Sequence, residues 1–175
     1  MNTLITRFCE LVVATSSHPS VSQASLESPI YDSLVLSRFK GSKVLDIGGG
    51  CGFPAVVYAI ENPTIPIYFS EMNSMKARFV QGVATELGLT NLTVLPVPSE
   101  ESNFDLVISR MLGSLPDLMF HAKPFLRKDG VVVTLSFDYE NLFPYVDDIG
   151  GQFTSTLLPS TTFGDRRIYV CRSSL

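Results

Sequence analysis

An acid closes a short β-branched run at Val44-Leu45-Asp46-Ile47, and four of the next five residues, Gly48 to Gly52, are glycine. An apolar, helix-compatible segment follows, Ala55 to Ile60. This order predicts strand, tight turn and helix, the opening unit of a nucleotide-binding α/β domain. Glycine takes positive φ cheaply and lets backbone approach a ligand closely. The helix beyond it presents unpaired N–H groups to that ligand. Asp46, just before the turn, can anchor a cationic or hydroxyl-bearing group. Two further polar residues follow apolar runs: Glu71 after Tyr68-Phe69-Ser70, and Arg110 after Leu106-Val107-Ile108-Ser109. A carboxylate such as Glu71 can accept hydrogen bonds from both hydroxyls of a ribose. An arginine such as Arg110 can reach a cofactor, a phosphate or a partner carboxylate such as Glu71 or Glu100.

The glycines alone do not identify the ligand. A dinucleotide fingerprint places glycine at relative positions one, three and six. Here those positions are Gly48, Gly50 and Phe53, so the third fails. S-adenosyl-L-methionine (SAM) fits the acids better, with its ammonium group, ribose hydroxyls and sulfonium. Ser99 and Glu100, after a third apolar run, either border the adenine or form a solvated turn. Bland alternatives stand beside each assignment. The glycine turn can be empty, Glu71 can cap the helix beginning near Asn73, and Arg110 can form a purely structural ion pair.

These residues need a sheet to hold them, and the length allows one. A chain of 175 residues, 45% hydrophobic and 17% charged, can bury one sizeable core. Its net charge of -4, from 13 basic and 17 acidic residues, does not mark a strongly basic nucleic-acid binder. A local basic patch remains compatible with an acidic total. Cys9, Cys51 and Cys171 are odd in number and scattered, without disulfide or metal-ligand spacing. No metal is expected. Arg7 and Glu10 interrupt the apolar N-terminus, and no run approaches the ~18 apolar residues of a membrane span. A reducing cytoplasm is the expected location, with no membrane partner.

Along the chain, Leu4, Phe8, Leu11 and Val12 recur at helical spacing. A second helix is expected from near Pro29 to Phe39. Strands are expected at Lys43–Ile47, Ile65–Ser70, Leu92–Val97 and Asp105–Ser109. Asn73–Leu87 and Ser114–Leu126 read as helices, the latter with Ser114 as cap and Lys123, Arg127 and Lys128 at its end. Asp129-Gly130 turns into a strand, Val131–Phe137. Tyr139–Ile149 reads as a helix weakened by Pro144, before a final hairpin of Phe153–Leu158 and Ile168–Arg172. Alternation of strands and helices predicts a doubly wound, mostly parallel sheet with one antiparallel strand. A helical extension, residues 1–40, precedes a ligand-binding domain, residues 41–175.

Three blocks of this sequence resemble one family: VLDIGGGCGFP (44–54), KARFVQGVATELGLTN (76–91) and FDLVISRMLGSL (104–115). They are similar to the RsmG/GidB methyltransferases, SAM-dependent enzymes that methylate a guanine at its seven-position nitrogen in bacterial 16S rRNA. The resemblance covers roughly residues 30–135, with a weaker echo at Gly164-Asp165-Arg166-Arg167. It implies a Rossmann-like class I SAM methyltransferase fold, SAM as cofactor, and small-subunit ribosomal RNA or a ribosomal particle as partner. By position it implies cofactor contacts at Gly48, Phe53, Glu71, Ser99, Glu100 and Arg110, which join Asp46 and Gly50 from the reading of the glycine turn itself. Arg110 would also stand near the reacting groups. Arg166 and Arg167 would be outer substrate contacts, though they can equally be a solvated turn.

The departures from the family pattern all remove positive charge or a polar handle. Ser28-Pro29-Ile30-Tyr31 stands where the family usually has Arg-His before Asp32-Ser33-Leu34, Met75 where it often has lysine, and Leu135-Ser136-Phe137 where it usually has Lys-Gly. Guanine's seven-position nitrogen carries a free lone pair, so no base or nucleophile is required. His18 and His121 are accordingly expected to be surface or loop residues, and Cys51 to fill a small space in the glycine loop. Rival functions are a SAM methyltransferase for small molecules, which the acidic total favours, and a non-catalytic SAM-binding module. A nicotinamide-dependent oxidoreductase is disfavoured by Phe53.

Overall fold

A computed structural model describes residues 2–16, 21–97, 99–110, 112–136, 151–157 and 167–173. Two helices lead: α1 (Thr3–Thr15) and α2 (Glu27–Leu36). Then strand and helix alternate through β1 (Val44–Ile47), α3 (Ala55–Glu61), β2 (Ile67–Ser70), α4 (Ser74–Glu86) and β3 (Leu92–Val94). The chain continues through β4 (Phe104–Arg110), α5 (Leu115–Ala122), β5 (Leu126–Ser136), β6 (Gly151–Leu157) and β7 (Arg167–Ser173).

The seven strands form one sheet in the order β3-β2-β1-β4-β5-β7-β6. Neighbours from β3 to β5 are parallel, and β7 runs antiparallel between β5 and β6. The chain therefore winds outward from β1 to β3, returns to β1's other edge as β4, and winds the opposite way. That reversal, between β1 and β4, is the topological switch point, where such sheets bind their ligands.

Period-two alternation divides the core. Val44, Ile67, Phe69, Leu106 and Ile108 face the cluster built by α1 to α4. Leu45, Ile47, Val107 and Val132 face the cluster that takes Leu115, Leu118 and Met119 from α5. Helices thus cover both faces. Ile5, Phe8, Cys9 and Val12 seat α1 in the first cluster, so α1 shares one core with the sheet and with α2 to α4. Leu4, expected on that buried face, is exposed, because Ile5 and Cys9 set the inward stripe.

Boundaries differ from the sequence reading where local chemistry intervenes. The second helix begins at Glu27 and stops at Leu36 rather than Phe39. The helix after Ser114 has a full capping box with Asp117 but yields at Ala122 to a 3₁₀ turn, Lys123–Phe125. Arg127 and Lys128 therefore lie on β5, not at a helix end, and Arg127 Nη2 lies 3.8 Å from Asp105 Oδ2. The expected helix at 139–149 lies outside the described residues. No described helix is long and apolar enough to cross a membrane, and no group of three or more His, Cys, Asp or Glu among the described residues could hold a metal ion.

Candidate active site

β1 ends on Ile47, and the Gly48 N–H donates to the Ser70 carbonyl at 2.8 Å, tying the glycine turn to the end of β2. Gly48 takes φ +69, and a Cβ there would lie 2.6 Å from Leu112 Cδ1. The positive φ favours glycine, and a side chain would also have to displace the tip of Leu112. The turn then folds back over Asp46. Asp46 is fully buried, and its Oδ2 accepts the first N–H of α3, from Ala55, at 3.0 Å. A side chain at Gly49 would collide with that same oxygen. Oδ1 of Asp46 is buried with no hydrogen-bond partner among the described residues. Burial pushes the Asp46 carboxyl up to about 8, and the nearby Glu71 charge pushes the same way, against the Ala55 hydrogen bond and Arg110.

Glu71, one residue beyond β2, takes two backbone donors. Its Oε2 accepts from Gly50 N–H at 3.1 Å and its Oε1 from Asn73 N–H at 2.8 Å. The cap of α4 is Asn73, whose side chain accepts from Met75 and Lys76 N–H, so Glu71 is free of that duty. Each Glu71 oxygen keeps acceptor capacity beyond its one described hydrogen bond.

Gly48, Ser70 and Glu71 border a cavity of about 290 Å³ at the switch point, which neither Asp46 nor Gly50 lines. Ile47, Gly48, Ser70 and Glu71 supply its sheet side. Met72, Val97, Leu112, His121 and Phe125 supply a largely apolar wall. A flat heterocycle fits such a wall, with the Glu71 oxygens and the glycine-turn backbone at its polar edge. The wall was missed from sequence. Met72, Val97 and Leu112 lie within three residues of a strand end, the same signal that singled out Glu71 and Arg110. His121 and Phe125 carry no local signal, since only the packing of α5 brings them there. His121 is exposed, as expected, and also lines the cavity.

Other nominated residues are placed elsewhere. Phe53 is buried and stacks on Phe8, ring centroids 4.6 Å apart, and does not line the cavity. Ser99 Oγ accepts from Glu101 N–H, and neither Ser99 nor Glu100 lines the cavity. Arg110 pairs with neither Glu71 nor Glu100. Its Nε donates to Asp32 Oδ2 at 2.9 Å, joining β4 to a fully buried carboxylate on α2. Cys51 does not fill a space in its loop but is exposed, because Gly50 and Gly52, both at positive φ, turn it outward. Arg167 begins β7. Arg166 and His18 lie outside the described residues.

The switch-point cavity, the glycine turn and the acid after β2 sit in a Rossmann-like class I SAM methyltransferase fold. A methyltransferase from Pyrococcus furiosus superposes with TM-score 0.69 at 16% identity, over 99% of this chain and 98% of that one. The O-methyltransferase TomG from Streptomyces achromogenes, solved in complex with SAM, gives TM-score 0.64 at 14% identity, over 100% and 91%.

The chain belongs to the GidB family, rRNA small subunit methyltransferase G, whose sequence profile matches residues 17–141. Relatives described as ribosomal RNA small subunit methyltransferase G include those of Chlorobium luteolum, 36% identical over 61% of this chain and 48% of that one, and Methylococcus capsulatus, 36% identical over 61% and 54%. The chain spans about half the length of these two relatives. The relative from Syntrophomonas wolfei is 33% identical over 91% of this chain and 84% of its own length.

Proposed function

We propose that this chain is a SAM-dependent methyltransferase that modifies a guanine at its seven-position nitrogen in 16S rRNA, working in the cytoplasm on the small ribosomal subunit or its RNA. The observation that carries the reading is the cavity between the Gly48 turn and the tethered Glu71, in a chain of this family. The residues present fit the cofactor: a side-chain-free backbone at Gly48, a carboxylate with spare lone pairs, and an apolar wall. Glu71 would hold the ribose hydroxyls, Met72, Val97 and Phe125 would flank the adenine, and Gly48 and Gly50 would give backbone contact. When bound, SAM supplies a methyl group activated by its sulfonium.

The rest of the chemistry asks little of the protein. The acceptor nitrogen attacks with a lone pair it already has, so no side chain must remove a proton. What the chain must do is hold acceptor and cofactor in line and keep water away. Arg110, fixed through Nε by Asp32 at the end of β4, stands beside the switch point and would orient the acceptor. Asp46 would act from beneath the turn, fixing its shape through Ala55. Residues 1–40 would serve as a helical extension to the ligand-binding domain.

The test is methyl transfer from labelled SAM to small ribosomal subunits, naked 16S rRNA and a metabolite extract. Label is expected in the ribosomal substrate. Label only in a small molecule would replace the rRNA reading with the small-molecule one. SAM binding by calorimetry without turnover on any acceptor would leave a binding module.

A further inference from the structure

A second concavity lies on the outer side of the glycine turn. It measures about 490 Å³ and shares no lining residue with the first. The end of α1 gives it Val12 and Thr15, the turn gives Cys51, and the first half of α4 gives Met75, Lys76, Arg78 and Phe79. Its character is mixed in a specific way. Val12, Met75 and Phe79 make an apolar surface, and Lys76 and Arg78 stand on it as exposed cations. Among the described residues neither cation has an ion pair. Acids on the two helices that line the groove are engaged elsewhere: Glu10 of α1 and Glu86 of α4 both pair with Arg7, at 3.0 and 2.7 Å. No acid lines the groove. In a chain of net charge -4, an unneutralised basic edge on an apolar groove selects an anionic ligand with a flat apolar part. The N-terminal end of α4 adds its own positive field.

We propose that this groove is an RNA-docking site, taking an unpaired nucleotide of the substrate with its base against Met75 and Phe79 and the phosphates on either side of it at Lys76 and Arg78, which flank that apolar stripe of α4. Unpaired bases stack on apolar and aromatic side chains, and phosphates pair with arginine and lysine without regard to sequence. The site is placed to serve the reaction. Gly48 lines the cofactor cavity and Cys51 lines the groove, three residues apart on one turn. An RNA strand seated in the groove is thereby led to the mouth of the cavity. This inference rests on the rRNA reading given above.

The test uses the full chain, 16S rRNA and a Lys76→Ala/Arg78→Ala variant. RNA affinity is measured at several salt concentrations. Loss of two phosphate contacts should lower the slope of log K against log salt by about two. SAM affinity by calorimetry should stay within about twofold, which also reports that the variant folds. A second readout uses Cys51. It is exposed, whereas burial raises the thiol of Cys9 and pushes that of Cys171 up to about 12. Alkylation of the SAM-free protein should therefore favour Cys51, and 16S rRNA should slow it. A wild-type protein that binds and methylates RNA, with an unchanged slope in the variant and no protection of Cys51, overturns the groove alone. A groove that takes a free mononucleotide but leaves the RNA slope unchanged overturns it as well. Absence of any salt-sensitive RNA binding by the wild-type protein overturns the rRNA reading and, with it, this one.

Discussion

Asp46 and Glu71 are both carboxylates at strand ends, yet their surroundings give them opposite work. Asp46 is sealed beneath the glycine turn and spends one oxygen on the start of α3. Glu71 stands at the cavity, braced by two backbone N–H groups and open to more. Sequence shows both as acids after apolar runs and cannot separate them, because the difference lies in which way the turn folds. Replacing Glu71 by alanine should weaken SAM binding by roughly 1–3 kcal/mol, the cost of charged hydrogen bonds. Its effect on melting should be smaller, since Asn73 caps α4 without it. Calorimetry and thermal melts on one Glu71→Ala preparation decide the matter. A steep drop in melting temperature with SAM affinity intact would make Glu71 a structural brace.

At the scale of elements, the sheet was legible because its physics is local. Apolar runs such as Leu106-Val107-Ile108 and stops such as Gly88 fix where strands and helices fall, whereas Asp129-Gly130, expected as a turn before a strand at Val131, lies within β5, where Asp129 takes φ +61 and the register with β4 shifts. The antiparallel last hairpin followed from the absence of a helix between its strands. What could not be read was how elements meet across long sequence separations. Phe53 finds Phe8 rather than the switch-point cavity, and Arg110 finds Asp32 on α2 rather than an acid beside β4. The second of these makes a prediction about helix docking. Removing one partner of a buried ion pair typically costs ~3–5 kcal/mol. Arg110 is 21% exposed, which places Asp32→Asn toward the low end. If the pair is what anchors α2 to β4, Asp32→Asn, Arg110→Gln and the double variant should show a coupling energy of at least ~1 kcal/mol in denaturant melts. Strictly additive losses would mean that α2 is held by its apolar face alone, through Ile30, Val35 and Leu36.

At the scale of the whole molecule, the fully buried Asp46 is an acid whose titration bears on folding. Burial raises the Asp46 carboxyl from 3.8 to about 8. Below about pH 4 this group is protonated in both folded and unfolded chains and contributes no pH dependence. Between about pH 4 and about pH 8 the unfolded chain releases the proton while the folded chain keeps it, so stability falls as pH rises. The slope from this one group approaches ~1.4 kcal/mol per pH unit, and it levels off above about pH 8. Asp46→Asn keeps an oxygen for the Ala55 N–H but cannot titrate. Its amide NH₂ falls where Oδ1 has no described partner, which adds an offset but no slope. The informative quantity is therefore the difference in unfolding free energy between wild type and Asp46→Asn, followed from pH 5 to pH 9. Wild type should lose ground steadily against the variant up to about pH 8 and hold a constant gap beyond it, with the other titrating groups cancelling in the difference. A flat difference would show that Asp46 stays ionised in the folded protein. The oxygen left without a partner would then be an anionic one beneath the glycine turn, held there by the field of Arg110 and the start of α3.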